Sequence, residues 1–375
     1  MLEVQKFLQE QQNVDVALSR LNDMGINTKV HPNGKLVLLN YDMIDADKNS
    51  QIVAECRGTV LEVGTWNLVS KGFSRFFNMH EMPQINKYFN WGDFKTYEKV
   101  DGTMINVWRY DGKVYMNTRN TFGDGQVGDT PFTWRQLVER CVDLDSLFRL
   151  PPHLNVSTFV FEFCSLYNKI VREYPETQLF LLSAFRGEQE LTHCEGGLLS
   201  QTVKIKRPDA YEFKSQYEVE QFIRAIAEKD KTFEGVVLRD SENRRMKVKS
   251  AAYLALSRLS NNGNIASYKN LVPLILMGEV DEVLSYFSEL KSQIDEVTIK
   301  LNIELGQLMQ TWDRIKHYQS QKEFALAALD GTQFNAILFK AKKNGECPSK
   351  IWRESSDLII KVLFKNCPET LEKKV

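Results

Sequence analysis

Short apolar runs alternate with turn residues over the first 250 positions of the chain. Runs of this length, rich in β-branched and aromatic residues and bounded by Gly, Asn and Asp, are typical of β-strands. We predict strands at residues 34–40, 58–63, 94–100, 104–110, 113–118, 158–163, 178–185, 235–239 and 245–249. Asp111-Gly112 is a two-residue hairpin signal between two of them. Helical segments are predicted at 130–148 and 218–229. Because the strands lack regular crossover helices, the pattern predicts an α+β fold with largely antiparallel pairing.

The hydrophobic pattern changes after residue 250. Residues 271–277, 280–312 and 323–329 carry apolar side chains at three- and four-residue spacing, which is the helical period. Asn-Gly and Asp-Gly pairs separate these segments. We therefore predict an all-helical C-terminal domain at residues 256–375, following a first domain at residues 1–255.

Composition narrows the class of protein. The 375 residues are 43% hydrophobic and 26% charged, and the formal net charge is −1. This balance excludes a purely electrostatic nucleic-acid coat but permits a local basic groove. No apolar run approaches the roughly 18 residues of a membrane span, and the N-terminus lacks the apolar core of a signal peptide. We expect a cytoplasmic protein with no membrane partner.

The cysteines and histidines are scattered along the chain. Six Cys and five His show no CxxC pair and no finger spacing, so a zinc module and histidine catalysis are not predicted. Any chemistry should depend on lysine, arginine and carboxylates.

One cluster stands out, at residues 97–102, which read Tyr-Glu-Lys-Val-Asp-Gly. A KxDG tetrad is a weak signal by itself, since a lysine at a strand end with an Asp-Gly turn behind it needs no function. Its significance depends on the residues that follow it in the chain.

Three later segments supply that context. Glu162 lies inside an aromatic strand, where a charge is costly unless it meets a partner. Glu234 precedes a predicted strand. Lys247 and Lys249 are two residues apart, hence on one face of a strand, where two like charges favour an anion or carboxylates opposite them. A solvated edge strand would explain these two lysines equally simply.

Basic residues also lie among aromatics upstream of the tetrad. Arg57 follows Glu55-Cys56, and Arg75 precedes Phe76-Phe77. This composition suits a nucleotide, held by phosphate and stacking contacts. The alternative is an ordinary strand edge with surface cations.

Taken in order, these segments resemble the motifs of the covalent nucleotidyltransferases, the superfamily of ATP-dependent ligases and capping enzymes. Residues 99–102 resemble motif I, 161–162 motif III, 179–184 motif IIIa, 234–235 motif IV and 247–249 motif V. The resemblance implies an ATP-grasp-like ligase fold for the first domain.

Within that superfamily the chain is most similar to the phage RNA ligase 1 family of tRNA-repair ligases. Residues 55–58 and 75–78 resemble the signatures before motif I, and Asn-Lys-Ile-Val at 168–171, followed by Tyr174, resembles the stretch after motif III. The family usually has lysine where this chain has Arg75, which keeps the charge but changes the donor geometry.

The resemblance implies a role for each matching residue. Lys99 would attack the α-phosphate of ATP and carry AMP, while nearby cations and Mg²⁺ disfavour the protonated amine and neutralise the transferred phosphate. Glu162 would bind the ribose hydroxyl and Glu234 would lie near the metal. A nucleotide-contacting family position falls at Leu39, Asn40 or Tyr41. The implied ATP contacts are Asn40, Tyr41, Arg57, Arg75, Lys99, Glu162, Glu234, Lys247 and Lys249.

The implied partner is RNA with 5′-phosphate and 3′-hydroxyl ends, such as a nicked tRNA anticodon loop. The enzyme would act as a monomer, in the host cytoplasm if it is encoded by a phage. A DNA ligase or capping enzyme would usually carry an OB-fold where this chain has helical periodicity. A non-catalytic RNA-binding relative would not need Lys99.

Two features of the helical domain have competing interpretations. Asp281-Glu282 matches a distal carboxylate pair that binds a second metal in the family, but acidic pairs are also common in the first turn of a helix. Cations among apolar helical positions could follow an RNA backbone or form a solvated face. They are Lys340, Lys342, Lys343, Lys350, Arg353, Lys361 and Lys365.

Overall fold

A computed structural model describes residues 1–43, 45–79, 81, 87–251, 253–254, 267–284 and 287–364. The chain divides into two compact units, Met1–Ser257 and Arg258–Val375, and each is described by itself. The break predicted around residue 262 and Lys365 lie outside the described residues, as does the side chain of Glu282.

The first sheet is built by the N-terminal segment and is antiparallel throughout. Its strands follow the chain order β1 to β4. They are β1 (Ile26–Val30), β2 (Leu36–Tyr41), β3 (Arg57–Glu62) and β4 (Leu68–Ser70). Three helices bury apolar side chains with this sheet, namely α1 (Glu3–Gln9), α2 (Val14–Asp23) and α3 (Gln51–Glu55). Glu55 accepts the amide of Val4 at 3.0 Å, so the acidic residue before Arg57 anchors the first helix.

The second sheet has five antiparallel strands in the order β11-β10-β9-β7-β8. They are β7 (Thr103–Tyr110), β8 (Lys113–Asn117), β9 (Thr158–Cys164), β10 (Gln178–Arg186) and β11 (Gln189–Glu190). Helices α4 (Trp134–Val138) and α5 (His193–Val203) supply apolar residues to the core on one face, with Phe159, Phe161 and Phe163 fully buried. The opposite face carries the alternate residues of each strand, Glu162 among them.

The third sheet has the order β12-β6-β13-β14-β5, and only its β14–β5 pair is parallel. Its strands are β5 (Phe77–Asn78), β6 (Phe94–Glu98), β12 (Ala210–Tyr211), β13 (Gly235–Asp240) and β14 (Arg245–Lys249). Helix α6 (Gln216–Lys229) packs Val219 and Ile223 with Val236 and Val248. The other face of β14 therefore presents Lys247 and Lys249.

The predicted α+β pattern with largely antiparallel sheets is confirmed, and the Asp111-Gly112 hairpin joins β7 to β8 as predicted. The predicted helix at 130–148 is wrong in extent, since only α4 and a 3₁₀ turn at Ser146–Phe148 form there. The Asp143 side chain accepts the amide of Asp145, and the Ser146 amide bonds to the Asp143 carbonyl, at 3.1 Å each. These local bonds offer the backbone an alternative to a continuing helix.

The described residues of the second unit form helices and one 3₁₀ turn around a single apolar core. The helices are α7 (Tyr268–Leu276), α8 (Val280–Leu284), α9 (Lys291–Ile315), α10 (Gln321–Gly331), α11 (Asn335–Asn344), α12 (Pro348–Arg353) and α13 (Ser356–Leu363). The long helix predicted at 280–312 is therefore divided, with a 3₁₀ turn at Ser288–Leu290 before α9. No helix among the described residues of the chain is long and apolar enough to cross a membrane.

Candidate active site

Glu234 joins two lysines in the first unit. Its Oε2 accepts from Nζ of Lys99 at 2.8 Å, and its Oε1 lies 3.3 Å from Nζ of Lys249. The Glu234 side chain is only 5% exposed, whereas Lys99 retains 24% exposure. A nearly buried carboxylate thus holds two cations, and one of them remains accessible to a ligand.

The position of Lys99 follows from the turn that succeeds β6. Its amide donates to the carbonyl of Gly235 at 2.9 Å, which ties the turn to the start of β13. Gly102 lies directly against β9, because a Cβ there would be 2.5 Å from the Phe163 carbonyl oxygen and 2.7 Å from Sγ of Cys164. The glycine of the tetrad is therefore required by close backbone approach rather than by a turn alone.

Asp101 is the structural centre of the tetrad. Its Oδ2 accepts the amides of Val171 and Arg172 at 3.0 and 2.8 Å, and its Oδ1 accepts the hydroxyl of Tyr253 at 2.8 Å. Its own amide donates to the Tyr174 hydroxyl at 3.3 Å. The Asp101 side chain thus joins the Lys99 turn to two distant segments. Tyr174, noted in the sequence, and Tyr253 both form hydrogen bonds with Asp101.

Glu162 lies on the face of the second sheet opposite the core to which α4 and α5 contribute. It pairs in register with Met104 on β7 and with Phe180 on β10, so the three residues form a row across the sheet. Burial raises the pKa of Glu162 to about 7, Lys99 opposes that rise, and Glu234 adds to it. Glu162 therefore interacts electrostatically with Lys99 and Glu234.

Arg57 begins β3 beside the end of β2. Its Nη1 lies 3.0 Å from Sδ of Met104, and its guanidinium is 5.9 Å from the centre of the Phe76 ring. Burial lowers the pKa of Arg57, and the neighbouring Tyr41 and Glu162 favour its charged form. The arginine thus lies at the same row as Glu162 and in contact with an aromatic ring.

Arg75 is almost fully buried in an ion pair. Its Nη2 lies 3.2 Å from Oε1 of Glu81, with side-chain exposures of 7% and 8%. Its guanidinium stands over the rings of Phe77 and Tyr41 at 4.6 and 5.4 Å. Glu81 also accepts from the amide and side chain of Asn78, the β5 residue that pairs with Lys247. Within the described part of the chain, Nη1 of Arg75 has no hydrogen-bond partner.

The three candidates at the end of β2 differ in surroundings. Leu39 is fully buried in the core of the first sheet and offers no polar group to a nucleotide. Asn40 donates from Nδ2 to Oδ1 of Asn120, in the loop after β8, and its own buried Oδ1 is without a partner among the described residues. Tyr41 lies beside both Arg57 and Arg75.

The predicted ATP contacts lie in the first unit, whereas the predicted metal pair lies in the second. Asp281 is exposed in the first turn of α8, in the second unit. Across the described residues, no group of three or more His, Cys, Asp and Glu is arranged to hold a metal ion. The role of Asp281 and Glu282 stays a prediction.

Sequence reasoning did not assign four residues that the geometry brings to the site. Asp101 is predicted only as part of a turn, although its place between Lys99 and Gly102 is a signal. Phe180 falls within the predicted strand 178–185 and has no separate role there. Arg172 pairs with Glu98, 74 residues away in the chain. Glu81 lies six residues after Arg75 in a segment with no predicted element, so hydrophobic periodicity identifies neither charge.

Comparison with known proteins bears directly on this arrangement. A family model described as RNA ligase, of the phage T4 RNA ligase 1 type, matches residues 55–253, which is more than half of the chain. The chain belongs to this RNA ligase family. The matched region runs from Glu55 to Tyr253 and includes the Lys99–Glu234–Lys249 cluster, Glu162 and Arg75.

Individual relatives agree with the family. The chain is 30% identical over 286 residues to a putative bifunctional polynucleotide kinase/RNA ligase of Autographa californica nuclear polyhedrosis virus. That match covers 72% of this RNA ligase family member but only 40% of the viral protein. In fold, the chain is similar to an archaeal ATP-dependent RNA ligase, with a TM-score of 0.51, 17% identity and 80% of each chain covered.

Proposed function

We propose that this protein is an ATP-dependent RNA ligase that joins 5′-phosphate and 3′-hydroxyl RNA ends through a lysyl-AMP intermediate on Lys99. The observation that carries the proposal is the contact of Lys99 with Glu234, which also holds Lys249, beside Glu162. A partly exposed lysine amine among a carboxylate and further cations is suited to attack a phosphate rather than to stabilise the fold.

The first step would form the bond between Nζ of Lys99 and the α-phosphorus of ATP, with pyrophosphate as the leaving group. The amine must lose a proton first, and Oε2 of Glu234 at 2.8 Å is within range to accept it. Negative charge grows on the α-phosphate oxygens, and Lys247 and Lys249 on one face of β14 are positioned to neutralise it.

The nucleotide would lie along the row of the second sheet. Glu162 supplies a carboxylate for a ribose hydroxyl, and the Phe180 ring beside it offers an apolar surface to the base. Arg57 and Arg75 supply guanidinium groups for phosphate oxygens, which they can bind through two nitrogens at once. Asn40 and Tyr41, next to these arginines, complete the proposed contacts.

The donor chemistry of the site fits Mg²⁺. Magnesium usually keeps several waters and is held by one or two carboxylates together with substrate phosphates. Glu162 and Glu234 provide two such carboxylates, and the charge of Glu234 contributes to the raised pKa of Glu162. When bound, the cation would neutralise charge on the triphosphate. The same two residues would accommodate another divalent metal with oxygen ligands.

Transfer of AMP to a 5′-phosphate and displacement of AMP by a 3′-hydroxyl would complete RNA sealing. A DNA ligase is the principal alternative, and membership of the RNA ligase family favours RNA. A purely RNA-binding relative would have no use for the Lys99–Glu234 pair. Repair of a nicked tRNA anticodon loop in a host cytoplasm, by a monomer, is the biological setting that we infer from the family resemblance.

The helical unit is proposed to select the RNA. Some of its predicted RNA-binding cations contact other residues of the same unit. Lys342 donates to the carbonyls of Lys316 and Tyr318, which follow α9. Lys350 pairs with Glu346 at 2.9 Å. Asp281 and Glu282 are proposed ligands of a second cation, although the helix dipole alone favours Asp281 in the first turn.

The deciding experiment is incubation with labelled ATP and magnesium, followed by a denaturing gel. Wild-type protein should form a covalent AMP adduct, and Lys99→Ala should form none while still sealing RNA that already carries a 5′-adenylate. Lys95→Ala, which replaces an exposed lysine of β6, the strand before Lys99, serves as the control and should be labelled normally. Labelling of Lys99→Ala would show that another residue is the nucleophile.

A further inference from the structure

Three large apolar side chains are exposed within five residues, just after the strand that carries Glu162. Leu166, Tyr167 and Ile170 are 53%, 42% and 54% exposed. Other exposed large apolar residues of the first unit, such as Tyr88, Leu198 and Tyr217, are separated along the described chain. A cluster of this kind indicates an interaction surface, whereas isolated exposed residues need no explanation.

An aromatic ring and a cation extend the cluster. The rings of Phe132 and Tyr167 meet edge to face with centroids 5.3 Å apart. The Arg140 guanidinium lies 4.3 Å from the Phe132 centroid and 5.8 Å from that of Tyr167. We call this surface, formed by Phe132, Arg140, Leu166, Tyr167 and Ile170, the Tyr167 patch.

The Tyr167 patch is held in place by hydrogen bonds. The Ser165 hydroxyl accepts the Tyr167 amide at 3.2 Å, which fixes the 3₁₀ turn at Leu166–Asn168. Asn168 donates from Nδ2 to the Phe163 carbonyl at 2.8 Å and to the Thr103 hydroxyl at 3.0 Å. Exposed apolar groups on an anchored segment lose little conformational entropy when a ligand binds.

The same bonds place the patch beside the Lys99 turn. Thr103 follows Gly102 directly, and the amides of Val171 and Arg172, just past Ile170, donate to Asp101. The segment is therefore fastened at both ends to the turn that begins at Lys99. A ligand that approaches the Lys99 amine past this segment therefore contacts the Tyr167 patch.

Two cations, Arg140 in the patch and Lys169 beside it, favour a polyanion. Arg140 is exposed, and Lys169 is 45% exposed with only a loose contact to Glu173 at 3.6 Å. Exposed aromatic rings next to cations are the combination with which proteins bind single-stranded nucleic acid, through base stacking and phosphate contacts. An apolar protein partner would gain nothing from these cations.

Resting on the proposed ligase activity, we propose that the Tyr167 patch binds the unpaired nucleotides of the RNA strand whose end is sealed at Lys99. One base stacks on Tyr167, and Arg140 and Lys169 contact the adjoining backbone. Base stacking on one aromatic side chain corresponds to about tenfold in Kd.

The test measures RNA affinity and AMP-adduct formation separately on full-length protein. A short single-stranded 5′-phosphorylated oligoribonucleotide with a 3′ fluorophore is titrated by anisotropy, and labelling by ATP is measured without RNA. Tyr167→Ala should raise the Kd for RNA about tenfold with adduct formation within about twofold of wild type. Tyr167→Trp should restore binding, because an indole also stacks. Tyr217→Ala, a 68% exposed tyrosine on α6, is the matched control and should bind as wild type does.

A second variant tests the ionic part of the proposal. Arg140→Gln should lower the slope of log Kd against log salt concentration by about one, the change expected for one lost phosphate contact. If Tyr167→Ala binds RNA within twofold of wild type, the proposed stacking site is wrong. If wild type itself forms no AMP adduct, the ligase proposal is wrong. If wild type forms the adduct but Tyr167→Ala leaves RNA binding unchanged, only the stacking site is wrong, so the two failures are distinguishable.

Discussion

At the scale of single residues, the carboxylate of Glu234 partly neutralises the lysines of the candidate active site. Glu234 uses both oxygens to contact Lys99 and Lys249, so two cations and one anion lie together at the start of β13. The lysine repulsion inferred from the sequence is therefore offset within the protein.

The raised pKa of Glu162 makes one contribution to folding stability depend on pH, and the sign of that dependence can be worked out. Its pKa of about 7 in the folded protein exceeds the ordinary Glu value, so the folded state favours the protonated form. Protonation of Glu162 therefore contributes to the free energy of unfolding. This contribution is fully present below about pH 4.5 and is lost as the pH rises through 7.

We therefore expect Glu162→Gln, which stays neutral, to gain stability relative to wild type as the pH rises. Between pH values of about 5.5 and 8.5 the gain should be about 2 kcal/mol, or roughly 4–8 °C in Tm. Thermal unfolding of both proteins at several pH values measures this difference, because other titrating groups are common to both. A constant difference across the range would mean that Glu162 is ionised throughout.

At the scale of elements, two glycines with positive φ differ in what surrounds them. Gly112, in the β7–β8 turn, has φ of +72° and would place a Cβ in open space. Gly235 begins β13 with φ of +142°, and a Cβ there would lie 2.1 Å from the Val248 carbonyl oxygen. Both positions strain an alanine, but only the second forces β13 and β14 apart.

Gly112→Ala should lower the free energy of unfolding by about 1–2 kcal/mol, which is the strain of an alanine in the left-handed region. Gly235→Ala should lower Tm by more than 10 °C, at about 2–4 °C per kcal/mol, and should abolish AMP labelling because Glu234 and Lys249 flank the contact. Thermal unfolding and ATP labelling of both variants check this. Equal effects would show that close approach at Gly235 contributes nothing beyond backbone strain.

Much of this element structure is predictable from the sequence because its cause is local. Alternation in 245–249 places Lys247 and Lys249 on one face, and Asp-Gly specifies the hairpin at 111–112. The contacts of Asp101 are different, since Val171 and Tyr253 are distant in sequence and reach it only when the sheets assemble. The Arg75–Glu81 pair and the early end of α4 likewise depend on tertiary contacts or short-range side-chain bonds that periodicity does not report.

At the scale of the whole molecule, the proposed chemistry and the helical unit are separate in sequence. Every predicted ATP contact lies in the unit Met1–Ser257, which has its own cores. Phosphoryl transfer to Lys99 should therefore not require the helices from α7 onward.

A protein ending at residue 261 should retain AMP labelling, whereas sealing of a nicked anticodon stem-loop should fall far more than sealing of an unstructured oligonucleotide. Parallel assays of full-length and truncated protein on both RNAs measure this, with circular dichroism to confirm folding. Equal losses on the two RNAs would leave the helical unit a structural role only.

The hydrogen bonds of Asp101 also limit how far the backbone of the proposed nucleophile can move. They fasten the turn after Lys99 to the segments of Val171, Tyr174 and Tyr253. In the proposed mechanism, an adenylate on Lys99 would therefore move only as far as one flexible four-carbon side chain allows. The 5′-phosphate end would have to come to Lys99 to take up AMP, and the 3′-hydroxyl end would then have to reach the resulting RNA adenylate.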